Sequence, residues 1–324
     1  MICPRAPPVG SARVEAWLNQ LWDNLTAVSL PILVLGLGFQ AAQTCFVALA
    51  WRNILRAAYP EGGVQYDKTL AYYAGGNGLN AILPASAGTV AMLALFRSNI
   101  KGATVPGLVG ATVVENIFFG VMGIAVYLWL FLGVAGSFDV HLSWVSDHWV
   151  ATIIIIAGGV LLIAITLRML WHRAKRTWEN AKEGGAILAH RRVFLVQVVG
   201  VEAISYAARM GVNATFMYAF DIPVSLQNVF LIVAAASVSS TVAIAPGAVG
   251  AQTALANVVL APVASPAAIS AYSIGQAVIT TAWNVAFGLV LLARQIGWQA
   301  TRAMIHVHKD TAKDGQSAEP DALE

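Results

Sequence analysis

Charge is scarce in this chain. Only 11% of its 324 residues are Asp, Glu, Lys or Arg, against about a quarter in ordinary soluble domains. With 58% hydrophobic residues and a mean hydropathy of +0.70, it has too little polar surface to fold in water as one domain. Cysteine is scarce too. The two cysteines, Cys3 and Cys45, exclude a disulfide framework and a CxxC redox pair. The phosphate cradle GxxxxGK[ST], the zinc helix HExxH and the nucleophile elbow GxSxG are all missing. His141 and His148 fall in one connection and His306 and His308 near the C-terminus, with no carboxylate or cysteine at ligand spacing. No metal, no cofactor, no nucleic-acid partner and no enzymatic activity are expected.

Long apolar runs are abundant. A helix needs about 20 apolar residues to cross roughly 30 Å of hydrocarbon, and such runs recur along the whole length. The fold class expected is an all-α, polytopic membrane protein with about five full crossings, at 27–50, 105–132, 150–170, 193–219 and 268–293. Residues 1–26 form an N-terminal segment in which Val14, Trp17, Leu18, Leu21, Trp22 and Leu25 recur at helical spacing. That pattern predicts a short helix lying in the interface. No basic-then-apolar signal pattern is read there. Residues 27–295 form the transmembrane domain, with halves at 27–132 and 193–293 joined by the crossing at 150–170 and a basic loop at 171–192. Residues 296–324 read as a tail, polar and disordered at its end.

Lys and Arg set the orientation. The connections at 133–149, 220–227 and 261–267 contain neither, whereas sixteen of the 19 basic residues fall on the other side. That side is expected to be the cytoplasm, in a multi-pass protein of the cytoplasmic membrane with its N-terminus outside and its C-terminus inside. Trp171 and Trp178 suit a loop resting on lipid, and Trp144 and Trp149 suit the outer interface.

Two further apolar stretches are interrupted. Residues 71–96 contain Gly75, Gly76, Asn77, Gly78, Asn80 and Pro84; residues 233–260 contain Pro246 and Gly247. Glycine loosens a helix, and proline removes a donor and clashes with the turn before it. The pieces on either side of Pro84 are each about 20 Å long, too short to cross, so re-entrant hairpins are expected. The other reading is two kinked but complete helix pairs, giving nine crossings. Setting Pro84 on Pro246 matches six of fourteen positions, among them Gly88 with Gly250. The first hairpin begins and ends on the basic side and the second on the other, so the halves form an inverted repeat. Broken helices at matching places in inverted halves mark a transporter's mid-depth binding site, because irregular backbone there must border protein or a wet cavity.

Charge inside a crossing costs about 2.5–3.5 kcal/mol on insertion scales, which singles out Glu115, Glu202 and Arg209. Arg209 follows Glu202 by seven residues, on the same helix face. The three are expected to cluster. Arg209 would bind an anionic group and the glutamates tune it, or the cluster would tie helices together. Of the other polar residues in apolar surroundings, Gln40, Gln43, Asn116, Asn213, Gln276 and Asn284 are accounted for by interhelical hydrogen bonds. Asn77, Asn80 and Gln252 adjoin the breaks and are candidates to line a site.

The hairpin motifs resemble the integral-membrane, flippase-like region of lysylphosphatidylglycerol synthases and its stand-alone relatives. The resemblance rests on Asn80–Ala81–Ile82–Leu83–Pro84 with Gly88, on Val113–Val114–Glu115, on Pro246–Gly247–Ala248–Val249–Gly250 and on Trp51–Arg52. It covers about 27–295. It implies movement of a lipid, such as an anionic or aminoacylated phospholipid or a polyprenyl-linked glycan, between leaflets. Four departures stand out: Thr89 stands where the family usually has Glu, Met92 near its hairpin Arg, Asn116 in place of the Arg that follows Glu115, and Gln252–Thr253 in place of its Arg-Glu pair. No segment resembles the soluble aminoacyl-transfer domain, so aminoacylation is not expected. Two readings stand: a translocator of a lipid or lipid-linked head group, or a non-transporting membrane scaffold or regulator of envelope assembly.

Overall fold

A computed structural model describes residues 28–83, 87–134, 184–242 and 248–302. The N-terminal segment, the crossing at 150–170, most of the basic loop, Pro84, Pro246, Gly247 and the end of the tail lie outside the described residues. What is described is helical. Four helices are long and apolar enough to cross a membrane: α1, Leu30–Ala58; α4, Val105–Val134; α5, Arg191–Ala219; and α8, Pro266–Ile296. They coincide with four of the five expected crossings. Between them lie two pairs of shorter helices. The first pair is α2, Tyr66–Ile82, and α3, Ala87–Asn99; the second is α6, Leu226–Val242, and α7, Ala248–Leu260.

α1 runs eight residues past its predicted end. It starts at Ser29 with Pro31 in the first turn, where proline's missing N–H leaves no bond unmade. Its first turns expose Leu30, Val34 and Leu35, whereas Val47, Ala50, Trp51, Ile54 and Leu55 are buried. One end of this helix therefore faces outward and the other is enclosed by protein. The extra turns carry Arg52 and Arg56. Arg56 is exposed and reaches the polar boundary, as basic side chains at helix ends commonly do, whereas the Nε of Arg52 is buried.

The glycine-rich run does not break α2, contrary to the expectation from propensity. The helix continues through Gly75, Gly76, Gly78 and Asn80 and ends only when Leu83 turns extended (φ −103°, ψ 141°). Each glycine is there for contact. A Cβ on Gly78 would come within 2.8 Å of the Asn284 carbonyl oxygen of α8, and one on Gly75 within 3.0 Å of Leu292. Gly288 of α8 meets the Ala74 carbonyl in the same way. Small residues allow two membrane helices to approach closely, and that packing outweighs the glycine penalty of about 1 kcal/mol.

These contacts fix how deep α2 reaches. Ala74 lies against Gly288 and Gly78 against Asn284, so the two helices run antiparallel. Continuing that register brings Ile82 opposite about residue 280, close to the middle of α8. α3 then returns antiparallel along α2. Gly88 meets the Gly76 carbonyl and Asn80, and Phe96 lies edge-on to Tyr72 at 5.8 Å. The first pair is thus antiparallel, with α2 ending opposite the middle of α8. In the second pair α6 and α7 also pack on each other, and Asn257 ties α7 to Ser270 of α8 at 3.2 Å.

Of three apolar cores among the described residues, two hold opposite ends of the bundle and a small third, Phe118, Val126, Tyr206 and Val233, lies between α4, α5 and α6. The first joins the end of α1 (Trp51, Ile54, Leu55), the α2/α3 hairpin (Tyr72, Phe96), the start of α4 (Leu108) and Leu292 near the end of α8. Trp51 stacks on Phe96 at 5.6 Å. The second joins the end of α5 (Val212, Phe216), α6 and α7 (Val229, Ile232, Leu260) and the start of α8 (Ile269, Tyr272), with Leu33 and Phe39 of α1 against it. At the first core's end the sequence also places Lys68, Arg97, Lys101, Arg191, Arg192 and Arg294. It is therefore called the basic end below.

Candidate functional site

Between the two end cores, buried polar groups converge. Glu115 sits eleven residues into α4 and is 9% exposed; Glu202 is fully enclosed in α5. They are close enough to act on each other electrostatically. Among the described residues Glu202 faces only the buried Ser205 hydroxyl, one turn on, and neither group has a closely fitted hydrogen bond. Tyr73 of α2 brings its phenol to the same place, within electrostatic reach of Glu115, Glu202 and Arg209 and beside Asn77. Four of the expected site residues thus meet around one tyrosine that the sequence reading did not single out.

Arg209 lines a small cavity of about 60 Å³ with Phe119, Gly123, Val126, Tyr206, Val233 and Ala234. Three helices contribute: α4, α5 and α6. The cavity has room for a few water molecules and not for a lipid head group. Farther along α5, Asn213 accepts hydrogen bonds from the Tyr272 hydroxyl at 3.0 Å and Gln276 Nε2 at 3.2 Å, while its own amide donates to the Arg209 carbonyl at 2.8 Å. Glu202, Ser205, Arg209 and Asn213 recur at three- and four-residue spacing, which puts them on one inward face of α5.

A wide π turn, Leu195–Val199, precedes this face. Such a turn disturbs the regular ladder and is frequent at functional sites. Here the Gln197 carbonyl accepts from Asn53 of α1 at 2.8 Å.

The remaining candidates divide. Asn80 bridges its own hairpin, donating to Thr89 Oγ1 at 2.9 Å and accepting from the Thr89 amide at 3.0 Å. Thr89, which stands where the resemblance expects Glu, is therefore part of the hairpin's fastening. Gly88 is required by the close crossing of α3 on Gly76. Gly250 is not its counterpart in packing, because it is exposed and a Cβ there would meet open space. Gln252 is half-buried on α7. Interhelical hydrogen bonding accounts for Gln40 with Asn284 at 3.2 Å and for Gln276 with Asn213, whereas exposed Asn116 only reaches back to the Thr112 carbonyl of its own helix.

The model of the lysylphosphatidylglycerol synthase TM region matches residues 10–288. The chain belongs to this family. The match spans both hairpins and all four long helices up to Gly288. No curated protein and no solved structure matches the chain. Family membership and helix lengths together make this a multi-pass membrane protein of a lipid-related family.

Proposed function

We propose that this protein is a flippase-like translocator, moving a lipid or lipid-linked head group across the cytoplasmic membrane with its basic end inside. The observation that carries the reading is the juxtaposition of Arg209, Glu115, Glu202 and Tyr73 beside hairpin helices α2 and α6. Charge at that depth is costly and normally marks a path for a polar group.

The helix pairings support an inverted repeat. Exchanging α1 with α5, α2 with α6, α3 with α7 and α4 with α8 turns the α3–α2 packing into α7–α6. The same exchange turns α2–α8 into α6–α4, α1–α2 into α5–α6, and α3–α4 into α7–α8, and each of these packings is present. The α1–α5 packing maps onto itself. Two hairpins entering from opposite ends and meeting near mid-height would leave a short polar gap, the arrangement on which alternating access depends. The head group would be an anionic phosphate held by Arg209. The cavity at Arg209 is too small for a head group and would have to widen for passage.

Reconstitution into liposomes with fluorescent anionic, aminoacylated and polyprenyl-linked lipids, scored for leaflet exchange, tests this. Acceleration of one class over protein-free vesicles is expected. No acceleration for any class would leave the scaffold or regulator reading, which the small cavity and the neutral Thr89 and Gln252 favour.

A further inference from the structure

We propose that Glu115 and Glu202 hold a single exchangeable proton between them, and that its capture and release is the ion step coupled to lipid movement. The coupling rests on the translocator reading; the proton site stands without it.

The argument is one of unmatched charge. Two carboxylates from different helices share an enclosed region, one of them with no exposure and only the Ser205 hydroxyl beside it. Two ionised carboxylates there would repel across a medium that screens poorly, and the cost of burying each is met only by a partner. The facing groups are few among the described residues. α2 brings Tyr73, and α5 itself brings Tyr206 and Arg209. α8 brings Tyr272, which Arg209 also reaches, and Arg294 at the basic end. α6 brings no titratable side chain. α1 brings Arg52, next to the Asn53 that holds Gln197, and so about 8 Å toward the basic end from Glu202 along the axis. Among the described residues no guanidinium forms a salt bridge with either carboxylate, Arg209 acting instead on Tyr73 and Tyr206. One of the two negative charges is removed by a proton.

Ser205 belongs to the same site: the residue is 1% exposed and its hydroxyl faces the Glu202 carboxyl, with no other partner among the described residues. A group kept polar in that position is satisfied once a protonated carboxyl or a water stands beside it. A metal cation fits less well, since Arg209 repels it and two carboxylates with one hydroxyl make a thin oxygen shell. A proton needs no further ligands. In the step itself, one O–H bond forms on a glutamate oxygen as water on one side gives up a proton. It breaks as the proton passes to water on the other side.

The π turn at Leu195–Val199 ends three residues before Glu202. It offers the movement that would turn the pair from one side to the other.

The test has two arms on the full-length protein. Infrared difference spectra between about pH 4 and 9, a range that spans buried carboxyls, should show a protonated-carboxyl band that titrates and is lost in Glu202→Gln. In proteoliposomes, a gradient of about one pH unit should shift the steady-state leaflet ratio of the transported lipid by up to tenfold in the native protein. In Glu202→Gln the shift should vanish, and Glu202→Asp should restore part of it. Absence of the band, or its displacement by sodium at constant pH, overturns the proton site. A titrating band with gradient-independent exchange overturns the coupling. A titrating band with no exchange of any lipid overturns the translocator reading and leaves the proton site standing.

Discussion

Glu202 is enclosed with only the Ser205 hydroxyl beside it among the described residues, whereas Asn213, three turns farther along α5, is enclosed with three partners. The two should therefore respond oppositely to substitution. Glu202→Gln removes a costly charge and breaks no closely fitted hydrogen bond, so unfolding in detergent should shift little or toward greater stability, even as transport is lost. Asn213→Ala strands the Tyr272 hydroxyl and the Gln276 amide. An interhelical bond in a membrane averages only about 0.6 kcal/mol, but two are lost here with their donors buried. A destabilisation of roughly 1–2 kcal/mol is expected in the same unfolding measurement. Gly88→Ala forces a methyl group onto the Gly76 carbonyl, where backbone cannot yield as a side chain would. A loss of about 1–3 kcal/mol is expected, whereas Gly250→Ala, facing open space, should be neutral.

At the scale of the element, the first hairpin makes the sharpest claim. If α2 and α3 enter and leave at the basic end, cysteines at Gln65 and Lys101, in a background lacking Cys3 and Cys45, should both react with a membrane-impermeant thiol reagent from that side. A cysteine at Ile82 should react from neither side, or only through a wet gap. Labelling of residue 82 from the opposite side would mean that α2 crosses. The long helices were legible in the sequence because apolar runs of crossing length can hardly be anything else. The end of α2 was less so. Intrinsic propensity reads Gly75, Gly76 and Gly78 as a break, but those residues serve contact with Leu292, Asn284 and Met92, which no local pattern reveals. The cluster was legible in part. Glu115, Glu202 and Arg209 announce themselves because charge is rare in such a chain. Tyr73 does not, since a tyrosine in an apolar run equally suits an interface anchor. Asn80 and Gly88 were rightly placed near the hairpin turn, and their contacts there are structural.

At the scale of the whole molecule, two apolar cores at opposite ends flank a middle in which a small third core on α4, α5 and α6 borders the buried polar groups. The basic end carries Arg52, Arg56, Arg97, Lys101 and Arg294, and the Asp67–Gln295 hydrogen bond at 3.2 Å joins α2 to the end of α8 there. If this end is cytoplasmic, reporter fusions after residue 302 should be active only as cytoplasmic reporters. If the protein is a translocator, a cavity of about 60 Å³ would have to widen for a head group to pass. The most direct measurement is the leaflet-exchange rate of a fluorescent anionic phospholipid in proteoliposomes containing the native protein, Arg209→Lys or Arg209→Gln. The account predicts acceleration by the native protein, partial retention with lysine and loss with glutamine at unchanged thermal stability. Undiminished exchange by a folded Arg209→Gln protein would contradict it.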